Sequence, residues 1–133
     1  MRATLLGMIC GAAVAFSAAA DPKDYQAIIN RQIDAFLADD FATAFTFATP
    51  NLRQYFRSSD NFGLMVRQGY PMVWRPDSVT YLDYREEGGA AYQKVQIIDQ
   101  QGALHILEYQ MVPAEGSWRI GGVRILDASD FSA

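Results

Sequence analysis

"RQGYPMVWRP", Arg67 to Pro76, is where the period of this chain changes, and the rest of the sequence is read outward from it. Upstream of Pro76 apolar residues recur at every third or fourth position, as on the buried stripe of a helix. Downstream they recur at about every second position, as on a strand with one covered face. Pro71 and Pro76 each hold the preceding residue away from helix, so Tyr70 and Arg75 are expected to be extended. In that conformation Tyr70, Met72 and Trp74 point one way, and Val73 and Arg75 the other. The stretch is then a crossover from the last helix to the first strand, and serves either as an aromatic plug with exposed arginines or as the rim of a ligand site.

Four helices are expected before the crossover. In the first, Asp21 caps, Pro22 takes the first helical position, and Tyr25, Ile28, Ile29, Ile33, Phe36 and Leu37 form the apolar stripe. "DDFATAFTFATP" gives a second that is started by Asp39 or Asp40, buries Phe41, Ala44 and Phe45 and stops before Pro50. A third begins at Thr49-Pro50 with Leu52, Tyr55 and Phe56 inward. A fourth is capped by Ser59, buries Phe62, Met65 and Val66, and ends at Gly69.

Four strands are expected after it: "SVTYLDYR", "AYQKVQIID", "LHILEYQMV" and "WRIGGVRIL", divided by "EEGG", "QQG" and "PAEGS". Spacers this short imply an antiparallel meander. Helices first and such a sheet after is an α+β arrangement with the helices on one face. On the third strand His105, Leu107, Tyr109 and Met111 form the face without formal charge, and this is read as the covered one. On the fourth, Trp118 and Ile120 are out of phase with Val123 and Ile125. One extra residue at Gly121-Gly122, a β-bulge that glycine would admit through a positive φ, restores the phase and bends the sheet around its helices.

The first twenty residues stand apart. Arg2, an apolar run from Leu5 to Phe16 and the small residues Ala18-Ala19-Ala20 form the three-part pattern of a secretory signal peptide. The apolar run is too short to span a membrane. Residues 1–20 are therefore expected to be a leader and residues 21–133 one domain, secreted or periplasmic, without an integral membrane anchor. Cys10, the one cysteine, falls in the leader, so the mature chain has no thiol. Without Arg2 there are ten basic and fifteen acidic side chains, a formal charge of -5 against -4 for the whole chain. Scattered cations on an acidic chain argue against nucleic acid as a partner.

With these elements in place, "GSWRIGGVRIL" and the helical half resemble the nuclear transport factor 2-like fold, the α+β cone shared by scytalone dehydratase, ketosteroid isomerase and many binding proteins. "DDFATAFTFATP", "FGLMVRQGYPMVWRP" and "YQMV" resemble more closely a family of small secreted bacterial proteins described as a domain of unknown function. The resemblance spans nearly all of residues 28–126. It implies a fold and carries no activity, since the fold hosts enzymes and binding proteins alike.

The site must come from residues. One histidine and no mature cysteine make a metal site improbable, no cofactor motif is present, and His105 is read as an ordinary strand-end histidine. Gln32 falls inside the apolar arc of the first helix, where a buried amide must bond either a neighbouring backbone group or a ligand. Tyr70, Trp74, Tyr109, Met111 and Trp118 are the aromatic and soft side chains placed to surround a mostly apolar small molecule or acyl group. The one candidate for acid–base chemistry is Asp83, which alternation places on a face with Val79 and Tyr81, whereas Asp34 lies on the solvated side of its helix. Two functions stay open: a non-enzymatic binding or interaction module with an apolar pocket, or an isomerase- or dehydratase-like enzyme using a pocket Asp or Tyr. A homodimer through the outer sheet face is compatible with both.

Overall fold

The structure of the protein, a computed structural model, describes residues 21–127. The leader expected over residues 1–20 lies outside them. The helices are α1 (Pro22–Leu37), α2 (Phe41–Thr46), α3 (Pro50–Phe56), α4 (Ser59–Gly69) and a single turn, α5 (Pro71–Trp74); the strands are β1 (Pro76–Glu87), β2 (Ala90–Asp99), β3 (Leu104–Ala114) and β4 (Ser117–Leu126). The sheet is an antiparallel meander in chain order, and the helices cover one face of it. This is the α+β arrangement that the change of period at Pro76 predicts.

Local chemistry sets the helix starts. The side chains of Asp21, Asp40, Thr49 and Ser58 accept the backbone N–H of Lys23, Thr43, Leu52 and Asn61, respectively. Each such cap stabilises its helix by about 1 kcal/mol. Ser58, not Ser59, is thus the cap of α4. α1 buries Tyr25, Ile28, Ile29, Gln32, Ile33 and Phe36. Leu37, expected inward, is exposed, because it closes the helix just before the chain reverses at Asp39 with φ 56°. Phe62 of α4 joins the helical layer, its ring 5.3 to 5.9 Å from those of Phe36, Phe45 and Phe56.

The crossover differs from an extended segment. Tyr70 and Arg75 are non-helical, as their prolines require, but residues 71–74 between them wind one helical turn. Pro71 fits its first position, where no N–H is needed. The turn sends Met72 and Val73 together into the core and swings Trp74 and Arg75 back onto the end of α1. There Arg75 Nη1 donates to the Phe36 carbonyl at 2.9 Å. Arg75 Nη2 and Trp74 Nε1 both donate to Asp39 Oδ1 at 2.8 Å, and the guanidinium stacks 4.4 Å from the indole. These two donors hold the Asp39 carboxyl below the usual carboxylate range.

Three register shifts interrupt the sheet: one between Pro76 and Ser78, where β1 begins, and two farther in that shape it. In β4, Gln110 pairs with Gly122 while Met111 pairs with Ile120, so Gly121 is the extra residue, and Trp118, Ile120, Val123 and Ile125 share the inner face. The bulge is where the sequence puts it, but its backbone is not left-handed: among the glycines, positive φ values belong to those in turns, such as Gly102 (φ 84°). Glycine is used there for space, since a Cβ on Gly121 would lie 3.2 Å from Gln110 Oε1. The second bulge has no counterpart in the sequence reading. Tyr81 pairs with Val95 and Tyr84 with Gln93, leaving Leu82 and Asp83 opposite Lys94 alone. Gln93, fully buried, fills the gap by donating Nε2 to the carbonyls of Leu82 and Lys94 at 2.9 Å.

Between α2 and α3 the chain runs beside the free edge of β4. Ala48 forms a parallel bridge with Ile120, through Thr49 N–H to Ile120 O at 3.0 Å and Ile120 N–H to Phe47 O at 2.8 Å. Arg53 secures the following helix, its Nη2 2.8 Å from both carboxylate oxygens of Glu115 in the β3–β4 turn.

Candidate functional site

A bent sheet cannot stay in contact with straight helices along its whole length. Beside the bulge of β4, a cavity of about 380 Å³ lies between α1, α4 and the inner face of β3 and β4. Gln32 and Phe36 of α1, Phe62, Met65 and Val66 of α4, and Tyr109, Ile120 and Val123 of the sheet form its walls. α3 lies across the opening with Leu52, Tyr55 and Phe56, and none of its residues is buried. Tyr55, expected inward, is 76% exposed at this mouth, its ring edge-on to Phe56 at 5.0 Å.

Four lining residues carry a polar side-chain group: Gln32, Tyr55, Tyr70 and Tyr109. The lining contains no carboxylate, imidazole, ammonium or guanidinium group. Tyr70 donates its hydroxyl to the Val123 carbonyl at 3.2 Å. Gln32 donates Nε2 to the Ala44 carbonyl at 3.2 Å, so the backbone partner foreseen for it is present, while Oε1 accepts nothing among the described residues. Tyr109, between Gln93 and Val123 in the sheet, is fully buried, and its hydroxyl has no hydrogen-bond partner among the described residues. Burial, with lesser contributions from Tyr81 and Tyr70, pushes this phenol well above the ordinary value of 10.0, so it stays protonated as a donor. Leaving such a group unpaired costs ~1 to 3 kcal/mol. Tyr25 has the other unpartnered buried hydroxyl, but it packs at 5.3 Å against Trp118 and does not line the cavity.

Gln32, Tyr70 and Tyr109 are thus brought together as expected, and three other candidates are not. Trp74 is held outside by Asp39 and Arg75, Met111 is packed between Ala91 and Ile120, and Trp118 lies against Tyr25. Asp83 does not line the cavity either: the bulge in β1 gives the inner position to Tyr84 and turns Asp83 outward, 77% exposed, with Oδ2 3.8 Å from Lys94 Nζ. His105 bonds Asp99 Oδ2 at 2.8 Å beside the β2–β3 turn, a structural contact. Leu52, Phe56 and Met65, inward by period, are wall residues rather than core, since periodicity marks an inward face without telling a filled interior from a hollow one. On the outer face, Glu108 is clamped between Arg85 Nη1 at 2.8 Å and Arg124 Nη2 at 3.1 Å. No group of acidic, histidine or cysteine side chains suited to a metal ion, and no helix long and apolar enough to cross a membrane, is found among the described residues.

Residues 18–133 match the family described as Domain of unknown function (DUF4864). The chain belongs to this family. No curated protein matches the sequence. Among solved structures, a SEC-C motif containing protein from Rhodopseudomonas palustris is similar with a TM-score of 0.55 and 18% identity, over 76% of this chain and 77% of that one. A designed nuclear transport factor 2-like protein is similar with a TM-score of 0.54 and 14% identity, over 80% of this chain and all of that one. At such identities the likeness concerns the fold alone, and it places this member of the family among the nuclear transport factor 2-like α+β folds.

Proposed function

We propose that this protein is an exported, non-enzymatic binding module that holds a mostly apolar small molecule or acyl group in the cavity beneath α3. The observation that carries this is the cavity itself, with apolar walls and a buried, unpartnered Tyr109 hydroxyl. Ligand pockets combine the same features, apolar surface with a few fixed polar groups. Export is supported by the leader pattern of residues 1–20, most of which precedes the family match at residue 18.

An isomerase- or dehydratase-like reaction would need a base to work with the Tyr109 phenol. The lining offers none, and Asp83 faces the other way. A homodimer through the outer sheet face would have to cover the Arg85–Glu108–Arg124 cluster, whereas the centres of stable interfaces are poor in charge. Binding in the cavity needs no second copy.

Uptake of 1-naphthylamine, a neutral fluorescent probe small enough for the cavity, tests the binding function. The purified protein is expected to shift the probe's emission to shorter wavelength, and Val123→Phe, which fills the cavity from β4, is expected to abolish this without lowering the melting temperature. Equal uptake by both proteins, or uptake by neither, would overturn it.

A further inference from the structure

The buried end of the cavity has a definite polarity. Of the polar groups that line it, Tyr70 is committed to Val123 O and the amide nitrogen of Gln32 to Ala44 O. Tyr55 is out at the mouth. What remains without a partner among the lining residues is one donor, the Tyr109 hydroxyl buried in the wall, and one acceptor, Gln32 Oε1. A buried O–H without an acceptor is the costlier of the two to leave unmade, because a carbonyl oxygen with no donor is more often tolerated than an orphaned donor. No cation lines the cavity to receive an anion, and an unpaired charge in apolar surroundings is strongly disfavoured. At about 30 Å³ for each non-hydrogen atom, as for liquid water, the 380 Å³ accommodates roughly a dozen such atoms.

Building on the binding function proposed above, we infer that the ligand is a neutral, mainly aliphatic molecule of about that size, seated with a carbonyl-type oxygen on the Tyr109 hydroxyl and its chain directed toward α3. A ketone, an ester or an undissociated acid meets this description. A fatty carboxylate bound with its charged end inward does not. Gln32 Oε1 adds an acceptor for a hydroxyl group, which a hydroxylated ligand would use.

Displacement of 1-naphthylamine by three probes of matched length tests the inference: methyl nonyl ketone, dodecene and undecanoate at neutral pH. The ketone is expected to bind roughly three- to tenfold more tightly than the alkene, the worth of one net hydrogen bond, and more tightly than the carboxylate. Tyr109→Phe should erase the preference for the ketone over the alkene. Tyr25→Phe, which removes the buried hydroxyl outside the cavity, should keep it. Ketone and alkene binding alike to the native protein would show that the hydroxyl is served by water alone and would overturn the inference, while leaving the binding cavity in place. The inference is equally overturned if undecanoate binds as tightly as the ketone, or if Tyr25→Phe and Tyr109→Phe change the preference to the same extent. Failure of all three probes to bind would overturn the binding function itself.

Discussion

Gln26 of α1 donates its Nε2 to Gln93 Oε1 of β2 at 3.0 Å, so that one amide pair links the first helix to the irregular part of the sheet. Because Gln93 also donates to Leu82 O and Lys94 O, a single buried side chain satisfies both strands of the β1 bulge and the helix above it. Gln93→Leu keeps the volume and removes every one of these bonds, leaving buried carbonyls without donors. A loss of ~2 to 4 kcal/mol is expected, measured by urea unfolding. A change of less than about 0.5 kcal/mol would show that the bulge forms without this amide.

The glycines separate backbone strain from space. Gly102, at φ 84°, occupies a conformation that β-branched residues avoid, so Gly102→Val should cost ~1 to 3 kcal/mol. Gly122 has no positive φ, and a Cβ there would meet only Gln110 Oε1 at 3.6 Å. Gly122→Ala should therefore cost less than about 1 kcal/mol. Melting curves of the two variants check the order, and a reversed order would contradict the backbone described for the β4 bulge.

Asp99 orders the β2–β3 turn and predicts a dependence on acid. Its Oδ1 accepts the N–H groups of Gln101 and Ala103 at 2.9 Å, and its Oδ2 holds His105 at 2.8 Å. The His105 bond, then the Ala103 N–H, lowers the folded-state value of this carboxyl below its ordinary 3.8. A lowered value means that the unfolded chain binds the proton first as pH falls. The contribution to stability is therefore present above pH 3.8 and is lost as pH drops through the lowered folded-state value. Asp99→Asn retains an acceptor for the turn but not the titration. Urea midpoints of the two proteins, followed from neutral pH into that acid range, should converge, and a gap that stays constant would exclude this role.

Export is tested by mass. Expression in a bacterial host with a secretion system should yield a periplasmic protein that begins at Asp21, as the small residues Ala18-Ala19-Ala20 imply. An intact mass for all 133 residues, recovered with the membrane fraction, would show that the N-terminal segment is retained.

Elements whose cause is local were legible in the chain. Helix period before Pro76, strand period after it, capping side chains at Asp21, Asp40 and Thr49 and turn glycines between the strands all act within a few residues, so the α+β order and the inner face of β3 could be read directly. The β4 bulge was legible for the same reason, because two apolar pairs fall out of phase around Gly121-Gly122. The β1 bulge was not, since Val79, Tyr81 and Asp83 alternate without a break, and what accommodates the extra residue is an amide on another strand. Similarly, the two prolines restrict Tyr70 and Arg75 but say nothing of the turn between them, which depends on Phe36 in α1 and on Asp39 just beyond it. The site was decided by tertiary structure. Trp74, Met111 and Tyr109 were equal candidates in sequence, but the fold packs the first two against Arg75 and Ile120 and leaves Tyr109 in the cavity wall with a buried hydroxyl that has no partner among the described residues, because only the assembled curvature of sheet and helices determines which inward side chains find partners.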